Sequence, residues 1–302
     1  MMAAMKYHNP VLLFESIDGL NIKPDGIYVD VTFGGGGHSR EILRRLGEKG
    51  KLYAFDQDED ATENAIDDDR FVLISENFSH IKRFLRFYGV KKVHGVLADL
   101  GVSSHQFDEP ERGFTIRFDA DLDMRMNKQG ALSAFEVVNH YGEEELSNVI
   151  YQYGELRNAR AIASQIVKER ELGEIRTSFK LKEILQKFLP KHKEHKILAQ
   201  IFQAIRIEVN QEMEVLKQFL EQIPDLLEDD GRLSVISYHS LEDRLVKRYI
   251  KNGKFEGEAE KDFYGNISVP LRKIGKLIVP SAEEIKKNNR ARSAKLRIAS
   301  KV

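Results

Sequence analysis

The chain of 302 residues contains no cysteine. That excludes disulfides, thiolate metal sites and cysteine nucleophiles, and it fits a reducing compartment, so a cytoplasmic protein is expected. No apolar run approaches the roughly 20 residues needed to cross a bilayer. The opening MMAAMKYHNP lacks a basic stretch followed by an apolar one, so no secretory leader is expected. The histidines show no clear ligand spacing, and no metal is expected. Internal repeats and low-complexity tracts are missing too. Net charge is only −1, so whole-molecule charge does not announce a nucleic-acid binder.

What is present is a globular composition, 41% hydrophobic and 31% charged. Charge is distributed unevenly. Residues 56–69 carry eight acids and no base. Residues 176–206 carry eight Lys/Arg against Glu183 and Glu194, and 286–302 carry seven Lys/Arg and no acid. The two basic segments suit a phosphate-binding surface, and they equally suit solvated helix faces.

The first hundred residues alternate in type. Strand-like segments at 26–33, 51–58, 71–78 and 93–101 are separated by helix-like ones at 39–47, 59–66 and 79–89, the last capped by Ser79 and stopped by Gly89. This predicts βαβ units and a mostly parallel sheet. From about 106 to 210 only helical periodicity appears, and one long helix is expected from 196 to about 223. The α/β pattern then resumes. Asp230-Gly231 is read as a helix end, 232–240 as a strand, 240–250 as a helix and 294–300 as a last strand. Residues 1–105 and 211–302 would thus form one discontinuous α/β domain, and 106–210 an inserted helical domain.

Between the first strand and helix lies VDVTFGGGGHS (29–39). Four adjacent glycines are entropically costly, so either the loop is slack or a ligand approaches its backbone. The dinucleotide fingerprint G-x-G-x-x-G fails in both frames, because Ser39 or Arg40 stands where the third glycine should fall. A strand, an acid, a glycine turn and a helix remain. That arrangement also suits S-adenosylmethionine, which has no pyrophosphate. Asp56, 19 residues after Gly37, can accept ribose hydroxyls. Asp58 is a second candidate. Phe78 either flanks an adenine or packs in the core.

ADLGVSSHQF (98–107) places Asp99 at the carboxyl end of the fourth strand, near the switch point where such sheets bind ligands. A strand-end Asp can also simply cap the next turn. His239, Ser240 and Asp243 follow the fifth strand and can shape a substrate pocket, or Ser240 can cap the helix with Asp243 completing an approximate capping box. Arg244 can meet a phosphate. Asp121, Asp123 and Arg125 either order their loop or contact a nucleic acid. His8 is a further site candidate.

TFGGGGHS, DLGVSS, ERGF, DMRM, YGE, AIRIEVNQE and HSLEDR occur in this order along the chain. Together with HNPVLL (8–13) and RARSAKLRIA (290–299), they make the sequence resemble the MraW/RsmH family of bacterial 16S ribosomal RNA cytosine-N4 methyltransferases. The resemblance covers essentially the whole chain. It implies a class I methyltransferase sheet, Rossmann-like, with an inserted helical domain for substrate recognition. It implies S-adenosylmethionine as methyl donor, held by Gly36, Gly37, His38, Asp56, Phe78, Asp99 and Gln106. The implied substrate is a cytidine in the decoding region of 16S rRNA, within the small ribosomal subunit. A homodimer is one open arrangement.

Two positions depart from the family's usual pattern. His105 replaces a common proline, and Tyr238 replaces a common phenylalanine. Neither departure removes a polar group. Within this frame Asp99 is the expected catalytic group, with His239 and Ser240 as further candidates. Lys191, Lys193, Lys196, Arg244, Arg290 and Arg292 are the expected RNA contacts. A methyltransferase acting on DNA or on another RNA, a nicotinamide-dependent oxidoreductase, and a binding protein that has lost catalysis are the competing readings; the intact Asp56, Asp99 and Gln106 speak against the last.

Overall fold

The computed structural model describes residues 10–259, 264 and 268–302. His8 lies outside the described residues. In chain order the helices are α1 (Leu13–Leu20), α2 (Gly37–Arg45), α3 (Ile81–Phe87), α4 (Ser104–Asp108), α5 (Ala134–His140), α6 (Glu143–Gly154), α7 (Ala159–Arg170), α8 (Ser178–Leu185), α9 (Glu194–Val209), α10 (Glu212–Leu226), α11 (Ser240–Asn252) and α12 (Ala282–Lys287). The strands are β1 (Ile27–Asp30), β2 (Lys51–Phe55), β3 (Phe71–Ile74), β4 (Val93–Asp99), β5 (Leu227–Ser237), β6 (Leu271–Ile278) and β7 (Lys295–Lys301). None of these helices is long and apolar enough to cross a membrane.

The chain divides into two compact units, residues 1–101 with 213–302, and residues 102–212. The first holds a seven-stranded sheet in the order β3-β2-β1-β4-β5-β7-β6. Neighbours from β3 through β5 run parallel, and β7 is antiparallel to both β5 and β6. Strands β1, β2 and β4 are mostly apolar and buried, and so is β5 from Leu233 to Ser237, where Ser234 and Ser237 are buried with the apolar residues. A sheet covered on both faces demands that composition. Its largest core cluster joins Val29, Phe55, Val96 and Leu233 of the sheet to Ile81, Phe219, Leu220 and Tyr249 of the helices.

The second unit is helical and has its own core. Leu122, Met124, Val137, Leu146, Ile150, Ile162, Ile201 and Ile205 are among its buried residues. Thr177 caps α8 by accepting the Lys180 amide, and Ser133 caps α5 in a capping box with Glu136.

Several boundaries differ from the sequence expectation. The single long helix from 196 to 223 is two helices, α9 and α10, separated at Asn210-Gln211. Gln211 has φ +49°, which ends α-helical geometry. The Asn210 side chain accepts the Met126 amide (2.7 Å) and donates to the Met124 (2.8 Å) and Arg206 (2.9 Å) carbonyls. Asp230-Gly231 does not end a helix. α10 stops at Leu226, and residues 228–231 form a bulge in β5 between the pairs Val93–Leu227 and Gly95–Arg232. The helix at 79–89 is not capped by Ser79. Asn77 caps a short 3-10 turn, Phe78–His80, that leads into α3. Strand β6 carries no sequence expectation, because it is a mostly exposed edge strand rich in basic residues and interrupted at Gly275 (φ +64°). Charges on an edge blunt its tendency to pair with other chains, and they erase apolar alternation.

Candidate active site

Strand order reverses between β1 and β4. From β1 the chain builds outward to β2 and β3, and from β4 it builds the other way to β5. The carboxyl ends of these parallel strands share one edge, the usual ligand crevice of open α/β sheets. Asp30 ends β1, Asp56 follows β2, Asp99 ends β4 and Tyr238 follows β5.

The glycine turn on this edge is not slack. The Gly34 amide donates to Asp56 Oδ2 (2.7 Å), and the Gly34 carbonyl accepts from Asn64 (3.2 Å). The Gly35 carbonyl accepts from Arg40 (2.7 Å), and the Gly36 amide donates to the Phe33 carbonyl (2.7 Å). Gly34 and Gly36 have φ +49° and +73°, a region costly for side-chain-bearing residues. A Cβ on Gly37 would stand 2.2 Å from Pro10, whereas one on Gly35 would meet nothing within 4 Å. Gly35 therefore borders open space, and Gly37 is small to admit the chain's own Pro10. Gly36 is the N-cap of α2 and offers no side-chain cap. The first amides of that helix point at the crevice end, a geometry that favours anions.

Asp56 is held by two backbone donors, Gly34 at Oδ2 and Asp58 at Oδ1 (2.9 Å). Each carboxylate oxygen keeps a second lone pair for a ligand hydroxyl. Burial pushes the Asp56 carboxyl up to about 6, against these hydrogen bonds. Asp58 is buried and caps the following 3-10 turn. Phe78 does not end β3. It lies four residues beyond Ile74, half-buried, and packs edge-on against Phe219 at 5.3 Å.

Asp99 is the centre of a polar cluster. Its amide donates to Thr32 Oγ1 (2.7 Å), and its Oδ1 accepts from the Tyr238 hydroxyl (2.8 Å). Its Oδ2 lies 3.7 Å from His38 Nδ1. His38 is buried, with Nε2 3.2 Å from the Val11 carbonyl. Asp30, wholly buried behind them, accepts from Ser39 Oγ (2.7 Å) and the Thr32 amide (3.1 Å). Burial pushes the Asp99 carboxyl up to about 6, with His38 and the Tyr238 hydroxyl acting the other way. Burial raises Asp30 as well. Tyr238 is raised well above its ordinary value by burial and then by the Asp99 charge.

After β5, the capping arrangement differs from expectation. His239, not Ser240, is the N-cap of α11, and Glu242, not Asp243, completes the box. Buried Glu242 accepts the Tyr238 amide at 2.8 Å and lies 3.0 Å from His239 Nε2. Ser240 is the first residue of α11. Asp243 faces Arg297 (2.7 Å) and Lys295 (3.2 Å) of β7. Burial works against its charge, yet the two cations hold its carboxyl below the usual range.

Gln106 belongs to the helical unit. It is buried and closes a capping box with Ser103 at the start of α4. Arg125 pairs with Asp123 and donates to the Gly130 carbonyl (2.8 Å), so these charges order their own loop. Within the basic segment 176–206, Arg176, Lys180, Lys182 and Arg206 pair with Glu174, Glu183, Glu194 and Glu212. Lys191, Lys193 and Lys196 are exposed, as are Arg244 and Arg292 in the sheet unit, while Arg290 is partly buried.

Thr32, Ser39 and Glu242 carry no sequence expectation. Their signal is the burial of polar side chains beside a strand end, which periodicity does not reveal.

The model of the MraW methylase family matches residues 5–302. A ribosomal RNA small subunit methyltransferase H of Flavobacterium johnsoniae is 68% identical over 302 residues, all of both chains. One from Bacteroides thetaiotaomicron is 56% identical over 298 residues, 98% of each. Among solved structures, an rRNA methylase from Streptococcus thermophilus aligns with 99% of both chains at 15% identity and a TM-score of 0.43. With the family's model matched over nearly its whole length, the chain belongs to the MraW methylase family.

Proposed function

We propose that this chain transfers the methyl group of S-adenosylmethionine to the exocyclic N4 of a cytidine in the decoding region of 16S rRNA, within the small ribosomal subunit. Full-length identity of 68% to a protein named ribosomal RNA small subunit methyltransferase H supports ribosomal RNA as the substrate class. The observation that carries the chemistry is Asp99, a partly buried residue at the switch point whose amide is held by Thr32 and whose carboxylate is held by Tyr238. S-adenosylmethionine, when bound, supplies an electrophilic methyl on a sulfonium.

The residues fit such a ligand. The clamped glycine turn and the uncapped start of α2 suit its aminoacyl carboxylate. Asp56 suits the ribose hydroxyls, and the exposed part of Phe78 suits the edge of an adenine. His38 and Gln106 are assigned to the same binding role. The N4 lone pair of cytosine is delocalised into the ring, so the amine is a poor nucleophile. Asp99 accepts an N–H hydrogen bond from it, turns the lone pair out of the ring system and stabilises the positive charge that develops on nitrogen. Forming the N4–C bond would leave the C–S electron pair on sulfur as a neutral thioether, and Asp99, already hydrogen-bonded to the amine, takes the surplus N4 proton and passes it to water. His239 and Ser240 border the base, and Arg244 meets a phosphate.

A stacked cytidine must be turned out before its amine is reachable. The helical unit is assigned substrate recognition, with its Lys191, Lys193 and Lys196 contacting phosphates; Arg290 and Arg292 of the sheet unit are assigned phosphate contacts as well. Recognition then rests on backbone charge and shape rather than on the deep A-form groove. The test is methyl transfer from labelled S-adenosylmethionine to 30S subunits, naked rRNA and DNA by the native chain and by Asp99→Ala. Native transfer to rRNA that Asp99→Ala abolishes supports the reading. Wild-type turnover by that variant, or preference for DNA, overturns it.

A further inference from the structure

Asp99 has two carboxylate oxygens and very unequal partners. Oδ1 accepts from the Tyr238 hydroxyl at 2.8 Å. Oδ2 lies 3.7 Å from His38 Nδ1, beyond hydrogen-bond length. The Thr32 hydroxyl holds the Asp99 amide and not its carboxylate. Among the described residues, the Tyr238 hydroxyl is therefore the direct donor to the group on which the proposed chemistry depends.

Tyr238 is itself fixed from two further sides. Its amide donates to Oε2 of Glu242, which is buried and caps α11. Its ring packs with Val11, Leu12 and Ile236, and passes Gly101, where a Cβ would stand 3.6 Å from ring Cδ2. A phenol anchored at backbone and ring delivers its hydroxyl with little rotational freedom, as a preorganised donor should.

The surrounding charges show what the donor offsets in this chain. Burial first, then Asp30 from β1 and Glu242 from α11, act against a negative charge on Asp99, and His38 from α2 acts with the hydroxyl in favour. Burial and the Asp99 charge, with Glu242 and Glu284 behind them, keep the Tyr238 proton in place to be donated.

We infer that Tyr238 is a positioning residue for methyl transfer: its hydroxyl anchors Oδ1 of Asp99 and keeps the carboxylate charged, leaving Oδ2 as the acceptor for the substrate amine. This rests on the reading of Asp99 as that acceptor. The phenol does not touch the reacting atoms. It acts through Asp99 by stabilising the charged form, which burial alone disfavours.

The sign of the effect is fixed. Turnover needs ionised Asp99, so it rises with pH through the carboxyl's titration. Removing the hydroxyl raises that titration point and moves the acid limb of the profile to higher pH.

The experiment is the pH profile of single-turnover methyl transfer to 30S subunits by the native full-length chain, Tyr238→Phe and Asp99→Ala. Thermal midpoints establish that each is folded. Tyr238→Phe keeps the ring and should shift the acid limb upward by about one pH unit, the scale of one hydrogen bond to a charged group. The loss should be greatest at low pH and smallest at high pH. Incorporation of 3-fluorotyrosine at position 238 strengthens the donor and should shift the limb down, which decides the matter if Tyr238→Phe is unstable. An unmoved limb, or a loss equal at every pH, overturns the role of Tyr238. Wild-type turnover by Asp99→Ala instead overturns the reading of Asp99 beneath it.

Discussion

The Gly34 amide donates to Asp56 Oδ2 at 2.7 Å, tying the glycine turn after β1 to the carboxyl end of β2. One carboxylate thus shapes the turn and is still able to accept a ribose hydroxyl. Asp56→Asn keeps the size and removes the charge. It should weaken S-adenosylmethionine binding by about tenfold, the scale of one lost charge-assisted hydrogen bond. Calorimetric titration of the native chain and the variant checks this.

The four glycines should respond differently to substitution. Gly35 borders open space, so Gly35→Ser should bind cofactor with near-native affinity. Gly36 has φ +73° and its Cβ position lies 2.5 Å from Arg40 and 2.9 Å from Phe33. A β-branched residue is doubly penalised there, so Gly36→Val should lose more than about tenfold in affinity and lower the thermal midpoint. Gly37→Ala must push Pro10 aside and should cost stability as well. Equilibrium binding and melting curves on the three variants separate these effects.

Two partly buried carboxylates make the ligand-free protein pH-sensitive. Asp56 and Asp99 sit near 6 in the fold against an ordinary 3.8. Between those values the folded state holds protons that the unfolded chain has shed, so this contribution makes stability fall as pH rises through the window. Asp99→Asn removes its share. The variant should melt a few degrees higher than the native chain at pH 8, show less difference at pH 4, and transfer no methyl groups. Calorimetry at the two pH values with a transfer assay tests all three expectations.

Charge reversal at exposed Lys191, Lys193 and Lys196 tests the assigned RNA surface. The triple Glu variant should bind 30S subunits more weakly and with a log–log salt slope reduced by about two, since each lost phosphate contact removes about 0.7 to 0.9. Reversal at Lys180, Lys182 and Arg206, which already pair with acids, should change that slope less.

The parallel half of the fold was legible because β1, β2, β4 and the second half of β5 are largely apolar runs set off by glycine turns and short helices. The edge was not legible: β6 hides behind its exposed charges, and the bulge at 228–231 looks like a helix end because Asp-Gly is also a turn signal. Asn210 appeared to continue a helix. Two tertiary hydrogen bonds to the 124–126 backbone, which no local pattern encodes, hold it there, beside a local one to the Arg206 carbonyl. The residues lining the strand ends were visible as strand-terminal acids. Their partners were not, because Thr32 and Ser39 are ordinary polar residues until the sheet brings them beside Asp99 and Asp30. Tyr238 was visible as a departure from the family pattern, and its meaning appeared only with its hydroxyl on Asp99.

The central claim is the identity of the methylated atom. Mass mapping of 16S rRNA after incubation of unmethylated 30S subunits with this chain and S-adenosylmethionine tests it most directly. The account predicts one new methyl group, on N4 of a single decoding-region cytidine, absent with Asp99→Ala. A methyl on the ring carbon or ribose, on another base, or on N4 with Asp99→Ala as efficient as the native chain, would contradict it.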